Sequence, residues 1–383
     1  MPEFPKKLAH KIERRISDNA LRKLPDQFKW VDFSSNDYLG LSKEPYLEKK
    51  ALDMLIDTKN RHGSTGSRLL SGNHSLFPQL EQYIATFYGV ETALVFNSGY
   101  DANIGFFSSV PQRGDIIFYD ELIHASIRDG IKMGNAKAYK FAHNSLKDLE
   151  AKVERFVPSH SRGTAVVYVV TESVFSMDGD SPDLKKLSTL CEENQLHLVV
   201  DEAHAVGVFG RGLIFKYGLQ DKIFAQIVTF GKAIGCHGAA ILGCQMLKEY
   251  LVNHARSFIY TTALSPHITA LIFAAHQFLE TQKGYDLTKK LSTNIDYFNT
   301  VIKEFELQQL FLPSKSAIQI AMIKGNKKAK MMSNRLLENG FDIRPILSPT
   351  VPKGNERLRF CLHAFNTQVE IRNVLSIVKE LYG

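Results

Sequence analysis

Five short apolar runs, each followed by a polar or glycine-rich segment, constrain the fold of this chain more than any other feature. They are Thr92–Phe96 (TALVF), Asp115–Tyr119 (DIIFY), Ala165–Val170 (AVVYVV), His197–Val200 (HLVV) and Gln226–Thr229 (QIVT). All are rich in β-branched and aromatic residues, so each reads as a buried strand. Intervening stretches such as Leu76–Tyr88 and Asp183–Asn194 carry helical patterns. Strands alternating with helices predict an α/β fold, with a mainly parallel central sheet covered by helices on both faces. In such sheets ligands bind just beyond the carboxyl ends of the strands. The polar segments NSGYDAN, DELIHAS, TESVFSMDGD, DEAHAVG and FGKAIGCHG all fall there and are expected to meet in one crevice.

A length of 383 residues implies two or three domains. We expect an N-terminal helix and extended segment over 1–40, a large α/β domain over 41–270, and a small C-terminal α+β domain over 271–383. Leu8, Ile12 and Ile16 are spaced as on an amphipathic helix, in a charged stretch without the apolar core of a secretory signal. The longest apolar stretch, Ile268–Leu279, falls short of the ~20 residues that span a bilayer, so no membrane segment is expected. Four cysteines without a C-x-x-C pair suggest reduced thiols, a cytoplasmic protein and no metal site. The net charge of +7 is spread along the chain, which fits a solvated surface better than nucleic-acid binding. Such a field also attracts polyanionic substrates.

Several residues at the strand ends carry chemistry. Lys232, in TFGKAIG, follows a buried strand, where partial desolvation makes a lysine a usable amine for Schiff-base formation. A surface lysine in a glycine-rich turn is the competing reading. Asp201 ends HLVV, and burying its carboxylate is costly unless a cation pairs with it. The protonated pyridine nitrogen of pyridoxal phosphate is such a cation; a helix-capping aspartate is the alternative. Lys232 lies 31 residues after Asp201, the length of one strand–helix–strand unit. Ser98–Gly99–Tyr100 opens a helix after a strand, where backbone N–H groups and the helix dipole favour a phosphate. Thr229 can add a hydroxyl to the same anion. His124 and His204 follow strands and can stack on a flat ring or bond its phenolic oxygen. Arg359, in RLRFCLHAF, can bind a substrate carboxylate through its two-pronged guanidinium.

Taken together, FSSNDYLGLS (Phe33–Ser42), GSTGSRLLSG (Gly63–Gly72), ESVFSMDGD (Glu172–Asp180), DEAHAVG (Asp201–Gly207), TFGKAIGCHGAA (Thr229–Ala240), SAIQ (Ser316–Gln319) and PTVPKGNERLR (Pro349–Arg359) cover nearly the whole chain. The chain resembles the α-oxoamine synthase family, fold type I pyridoxal-phosphate enzymes related to class II aminotransferases. That resemblance implies that Lys232 carries the cofactor and later acts as general base, that Asp201 pairs with the pyridine nitrogen, and that His124 stacks on the ring. It places His204 and Ser176 near the phenolic oxygen, and Gly99, Tyr100 and Thr229 at the phosphate. Thr261 or Thr262 would reach the phosphate of a neighbouring subunit, since the family is homodimeric. Asn36 would lie near the reacting centre, Arg359 would bind the amino-acid carboxylate, and Arg22 and Thr350 would contact substrate or product.

TFGK with GAA downstream, SAIQ and PTVP tilt the resemblance toward the branch that condenses L-alanine with a pimeloyl thioester, carried by coenzyme A or an acyl carrier protein. Glycine C-acetyltransferase, 5-aminolevulinate synthase and serine palmitoyltransferase share this chemistry and remain alternatives; an aminotransferase or a non-catalytic homologue fits less well. Two segments depart from the branch pattern. Relatives often read I-R-P-P-T-V-P, and a gapless match puts Leu347 where they have arginine, with Arg344 three residues earlier. DEAHAVG stands where the closest relatives often have DDAHGTG.

Overall fold

The computed structural model describes residues 3–22, 24, 30–56, 62–157 and 165–382. Its strands in chain order are β1 (Val31–Asp32), β2 (Thr92–Phe96), β3 (Ile116–Asp120), β4 (Lys137–Phe141), β5 (Val167–Glu172), β6 (His197–Asp201), β7 (Ala225–Thr229), β8 (Ala239–Gly243), β9 (Ile318–Met322), β10 (Phe341–Asp342), β11 (Arg344–Ile346) and β12 (Arg357–Cys361). The chain divides into two compact units.

The large unit comprises Asp37–Ser176 and Asp180–Lys289. It holds a seven-stranded sheet of order β2-β8-β7-β6-β5-β3-β4, in which only β8 runs against its neighbours. All five apolar runs are strands of this sheet, with ends shifted by no more than two residues. The sequence reading missed β4 and β8. β4 reads KAYKF and lies at the sheet edge with both lysines exposed, so it has no continuous apolar run. β8 reads AAILG and is short of the β-branched residues that mark the others.

The helix Leu76–Tyr88 forms as expected and ends on Gly89, whose φ of 68° is the left-handed conformation of a helix C-cap. The helix Gly99–Ser109 is started by Ser98, whose Oγ accepts the Asp101 N–H at 3.0 Å. It turns Phe106 and Phe107 into a buried cluster with Phe96, Ile117, Tyr168 and Ile227 of the sheet. That packing holds the helix N-terminus at the carboxyl end of β2.

The small unit comprises Met1–Asn36, Met177–Gly179 and Lys290–Gly383. Its antiparallel sheet has the order β11-β12-β9, and β1 pairs with β10 in parallel. The N-terminal helix spans Lys6–Ser17, with Leu8, Ile12 and Ile16 all exposed. Residues 1, 2, 23 and 25–29 of the expected N-terminal segment lie outside the described residues. The chain passes between the units at 36/37, 176/177, 179/180 and 289/290; the expected boundaries lay at 40/41 and 270/271. The helix Pro266–Leu279 packs on Pro45–Leu55 and Leu76–Tyr88, which keeps it in the large unit. Among the described residues no helix is long and apolar enough to cross a membrane, no acid, histidine or cysteine cluster could hold a metal, and the four cysteines are free.

Phe106 is fully buried. Phe106→Ala is expected to cost about 4 kcal/mol through lost burial and an unfilled cavity, read as a lower midpoint in urea denaturation.

Candidate active site

Lys232, Asp201, His204, His124, Ser176, Gly99, Tyr100, Thr229, Thr261 and Thr262 all belong to the large unit, whereas Arg22, Asn36, Thr350 and Arg359 belong to the small unit.

Asp201 is the last residue of β6, and Lys232 follows the end of β7, the parallel neighbour of β6. The turn after the lysine closes with the Gly235 N–H on the Lys232 carbonyl at 2.8 Å. Gly235 has a φ of 67°, and a Cβ there would strike the backbone of Leu41 and Ser42. That close approach seats Leu41 and Ser42 on the lysine turn. Lys232 Nζ lies 2.9 Å from His204 Nε2, and His204 Nδ1 lies 2.8 Å from the hydroxyl of the fully buried Tyr38. Tyr38 therefore fixes the ring that contacts the amine.

Asp201 is buried, and its two oxygens accept the Ala203 N–H and the Asn103 amide, each at 2.9 Å. The same amide nitrogen donates to Ser126 Oγ at 3.0 Å, and Ser126 Oγ lies 2.7 Å from His124 Nδ1. One hydrogen-bonded path thus runs from Asp201 to His124, which caps the helix Ala125–Met133. Desolvation draws the His124 pKa below the usual histidine value; the Asp201 charge opposes this and the Lys232 charge adds to it.

Glu172 ends β5 directly opposite Asp201 and accepts the His124 N–H at 2.6 Å. Burial, reinforced by the Asp201 charge and opposed by Lys232, pushes its pKa up to about 8. Sequence reasoning missed Tyr38, Asn103, Ser126 and Glu172. Each stands inside a segment already singled out, and the signals were a tyrosine two residues past Asn36, an amide one helical turn past Gly99, and an acid ending a buried run.

At the open end of the Gly99–Ser109 helix, a Cβ on Gly99 would come within 2.5 Å of Thr229 Cγ2. Only glycine leaves that space clear. Thr229 Oγ1 is buried without a hydrogen-bond partner. An orphaned hydroxyl beside a helix N-terminus is suited to a phosphate oxygen. These residues fit pyridoxal phosphate: an amine, a buried carboxylate one strand away, and an anion cradle at the same sheet end. Tyr100 is exposed, and its hydroxyl donates to Asp129 at 2.7 Å. Asn97 donates to Thr261 Oγ1 at 2.9 Å and to the Thr262 carbonyl at 2.7 Å. Ser176 is half-buried in the loop after β5.

In the small unit, Arg359 lies on β12, is buried, and donates to Asn36 Oδ1 at 2.9 Å. Arg22 donates to Thr350 Oγ1 at 3.0 Å. Arg344 sits across the ladder from Arg359 and is paired with Asp342, with Nε–Oδ1 at 2.8 Å and Nη2–Oδ2 at 3.0 Å.

The sheet and the strand-end site define a fold type I pyridoxal-phosphate enzyme. Residues 29–378 match the model of the aminotransferase class I and II family. The 8-amino-7-oxononanoate synthase of Emericella nidulans is 40% identical, covering 91% of this chain and 88% of that protein. The synthase of Lysinibacillus sphaericus is 39% identical over 92% of this chain and 89% of its own. Among solved structures, serine palmitoyltransferase from S. paucimobilis has a TM-score of 0.87 at 27% identity, covering 98% of this chain and 96% of its own. The 8-amino-7-oxononanoate synthase of Francisella tularensis has a TM-score of 0.76 at 30% identity, covering 92% and 97%. The chain belongs to the aminotransferase class I and II family, in its α-oxoamine synthase branch.

The Glu172 pKa gives a sign to pH dependence. A carboxyl raised from 4.5 to about 8 contributes stability that is full below about pH 4.5 and lost as pH rises through about 8. Glu172→Gln, which cannot ionise, should therefore gain in melting temperature relative to the parent as pH rises from 5 to 9. A difference that stays flat over that range would count against a protonated Glu172.

Proposed function

We propose that this chain catalyses the decarboxylating condensation of L-alanine with a pimeloyl thioester, giving 8-amino-7-oxononanoate, CO2 and free thiol on the route to biotin. The observation that carries it is the placement of Lys232 and Asp201 at the ends of adjacent parallel strands, with His204 on the amine. Relatives at 35–40% identity over about nine-tenths of the chain bear the name of that synthase, which supports the choice within the branch.

When bound, pyridoxal phosphate supplies the electrophilic carbon that captures the amine and the electron sink for a carbanion at the amino acid's Cα. Lys232 would hold the cofactor covalently. Its Nζ, when free, would take the Cα proton, with His204 orienting it and Tyr38 orienting His204. Asp201 would pair with the pyridine nitrogen and keep it protonated, and its own orientation is set by Asn103 and the Ala203 N–H. His124 would cover the ring face, with its Nδ1 tied to Ser126. Ser176 and His204 serve the phenolic oxygen. Thr229 Oγ1 and the N–H groups of Gly99 and Tyr100 take the phosphate. Arg359 takes the alanine carboxylate with Asn36 fixing its guanidinium, and Arg22 and Thr350 contact substrate or product. Holding both reactants in one orientation supplies the advantage of a bound bimolecular step.

In this reading the large unit is the cofactor domain and the small unit carries the carboxylate-binding arginine. The enzyme is a cytoplasmic homodimer, in which Thr261 or Thr262 reaches the cofactor phosphate of a second copy. Its basic balance suits either acyl carrier, since coenzyme A and acyl carrier protein are both acidic. The high TM-score to serine palmitoyltransferase favours a sister synthase as the second reading, because backbone likeness is shared across the branch while the amino-acid pocket is not.

Lys232→Ala should lose both the visible absorbance of bound cofactor and all turnover; full turnover in that variant would exclude it as the catalytic lysine. Asp201→Asn should keep the fold by circular dichroism yet lose roughly 10²–10³-fold in kcat, the scale of one preorganised electrostatic partner. A matrix of alanine, glycine and serine against pimeloyl, acetyl, succinyl and palmitoyl thioesters, with product mass determined, should peak at alanine with pimeloyl. A peak elsewhere assigns the chain to the sister synthase.

A further inference from the structure

A histidine that the reaction does not use ties the carboxyl ends of β4 and β3 to the loop that follows β5. His143 lies two residues beyond β4. Its Nδ1 is 2.9 Å from Asp120 Oδ1, and its Nε2 is 2.9 Å from Asp180 Oδ2. A neutral imidazole carries one N–H and one bare nitrogen. With a carboxylate oxygen at each nitrogen, only the imidazolium donates to both. Asn144, with a φ of 53°, braces the same link: its N–H donates to Asp120 Oδ2 and its amide to Asp180 Oδ2, each at 2.8 Å. Glu121 accepts the His143 N–H at 3.3 Å and pairs with Lys140 at 3.8 Å. Phe175 meets the imidazole edge-on at 4.5 Å.

Each aspartate also shapes a loop of the cofactor site, Asp120 through its carboxylate and Asp180 through its backbone carbonyl. Asp120 Oδ1 accepts the Leu122 N–H at 2.9 Å, which shapes the turn leading to His124. The Asp180 carbonyl accepts the Phe175 N–H at 3.0 Å, which closes the base of the loop carrying Ser176.

We propose that His143 is a positioning residue: as an imidazolium between Asp120 and Asp180, it locks the turn carrying His124 to the loop carrying Ser176 and so fixes both residues toward the cofactor. The inference rests on the cofactor reading given above. Burial pulls the His143 pKa down, but the hydrogen bonds and charges of Asp120 and Asp180 outweigh it and bring it to about 10. The link is therefore complete below the ordinary value of 6.5 and is lost as pH rises through about 10.

The test compares the full chain with His143→Asn and His143→Lys. Three properties are measured: pyridoxal-phosphate affinity by absorbance titration, the circular dichroism of the bound cofactor's visible band, and melting temperature of the cofactor-free protein from pH 6 to 10. His143→Asn should bind pyridoxal phosphate roughly tenfold more weakly. It should also lose intensity in the dichroic band and show a melting deficit that is larger at pH 6 than at pH 10. His143→Lys keeps a cation between the carboxylates and should recover part of the affinity and the band. If His143→Asn does not fold, Asp180→Asn is measured in the same way with the same expectations. A folded variant with parental affinity and an unchanged dichroic band overturns the proposal. A parent chain that takes up no pyridoxal phosphate, or a Lys232→Ala variant that keeps the band, overturns the cofactor reading instead, and the inference falls with it.

Discussion

Three neighbouring parallel strands of the central sheet each end on a buried acid: Asp120 on β3, Glu172 on β5 and Asp201 on β6. Placing three carboxylates along one buried edge is costly, because each loses its water and each repels the next. The surrounding structure answers this cost in three ways. Asp120 is met by the His143 imidazolium. Glu172 is drawn toward its neutral form and accepts the His124 N–H. Asp201 accepts from neutral donors, the Asn103 amide and the Ala203 N–H. Those donors orient the carboxylate without cancelling its charge, so a cation arriving at Asp201 finds a fixed anion. A protonated pyridine ring is such a cation, and the ordering of the acids makes β6 better suited to it than β3.

The same arrangement ranks the residues around it. His124, Ser126 and Asn103 form one path to Asp201, while Tyr38 and His204 form a second path to Lys232. Both paths are anchored on segments with little freedom. The first begins on a helix held to the sheet by Phe106 and Phe107, and the second on a segment pressed against the turn at Gly235. A site built this way presents its polar groups in fixed directions before any ligand arrives, which is what electrostatic preorganisation requires.

The sequence showed the parts of this arrangement that depend on one residue's own neighbours. The five apolar runs are legible because a strand buried on both faces has to be apolar throughout. β4 was not, because an edge strand is free to carry Lys137 and Lys140. Lys232 and Asp201 could be placed because each directly follows or ends such a run. Asn103 and Tyr38 could not, since their partners Asp201 and His204 are 98 and 166 residues away along the chain. Nothing local marks such a pair. The acid at the end of β5 was visible as a residue, but its raised pKa comes first from burial and then from the register that sets Glu172 opposite Asp201, and both are properties of the assembled sheet.

The departure from the family pattern near Leu347 can be weighed on the same terms. Arg344 and Arg359 face each other across an antiparallel ladder, where like charges repel. The fold separates their duties: Arg344 is closed in a two-pronged pair with Asp342, and Arg359 is oriented by the Asn36 amide. An arginine engaged with a carboxylate must surrender that pair to take a second anion, and its release would leave Asp342, itself largely buried, without its cation. Arg344 is thus poorly suited to replace the arginine that relatives carry at the position of Leu347.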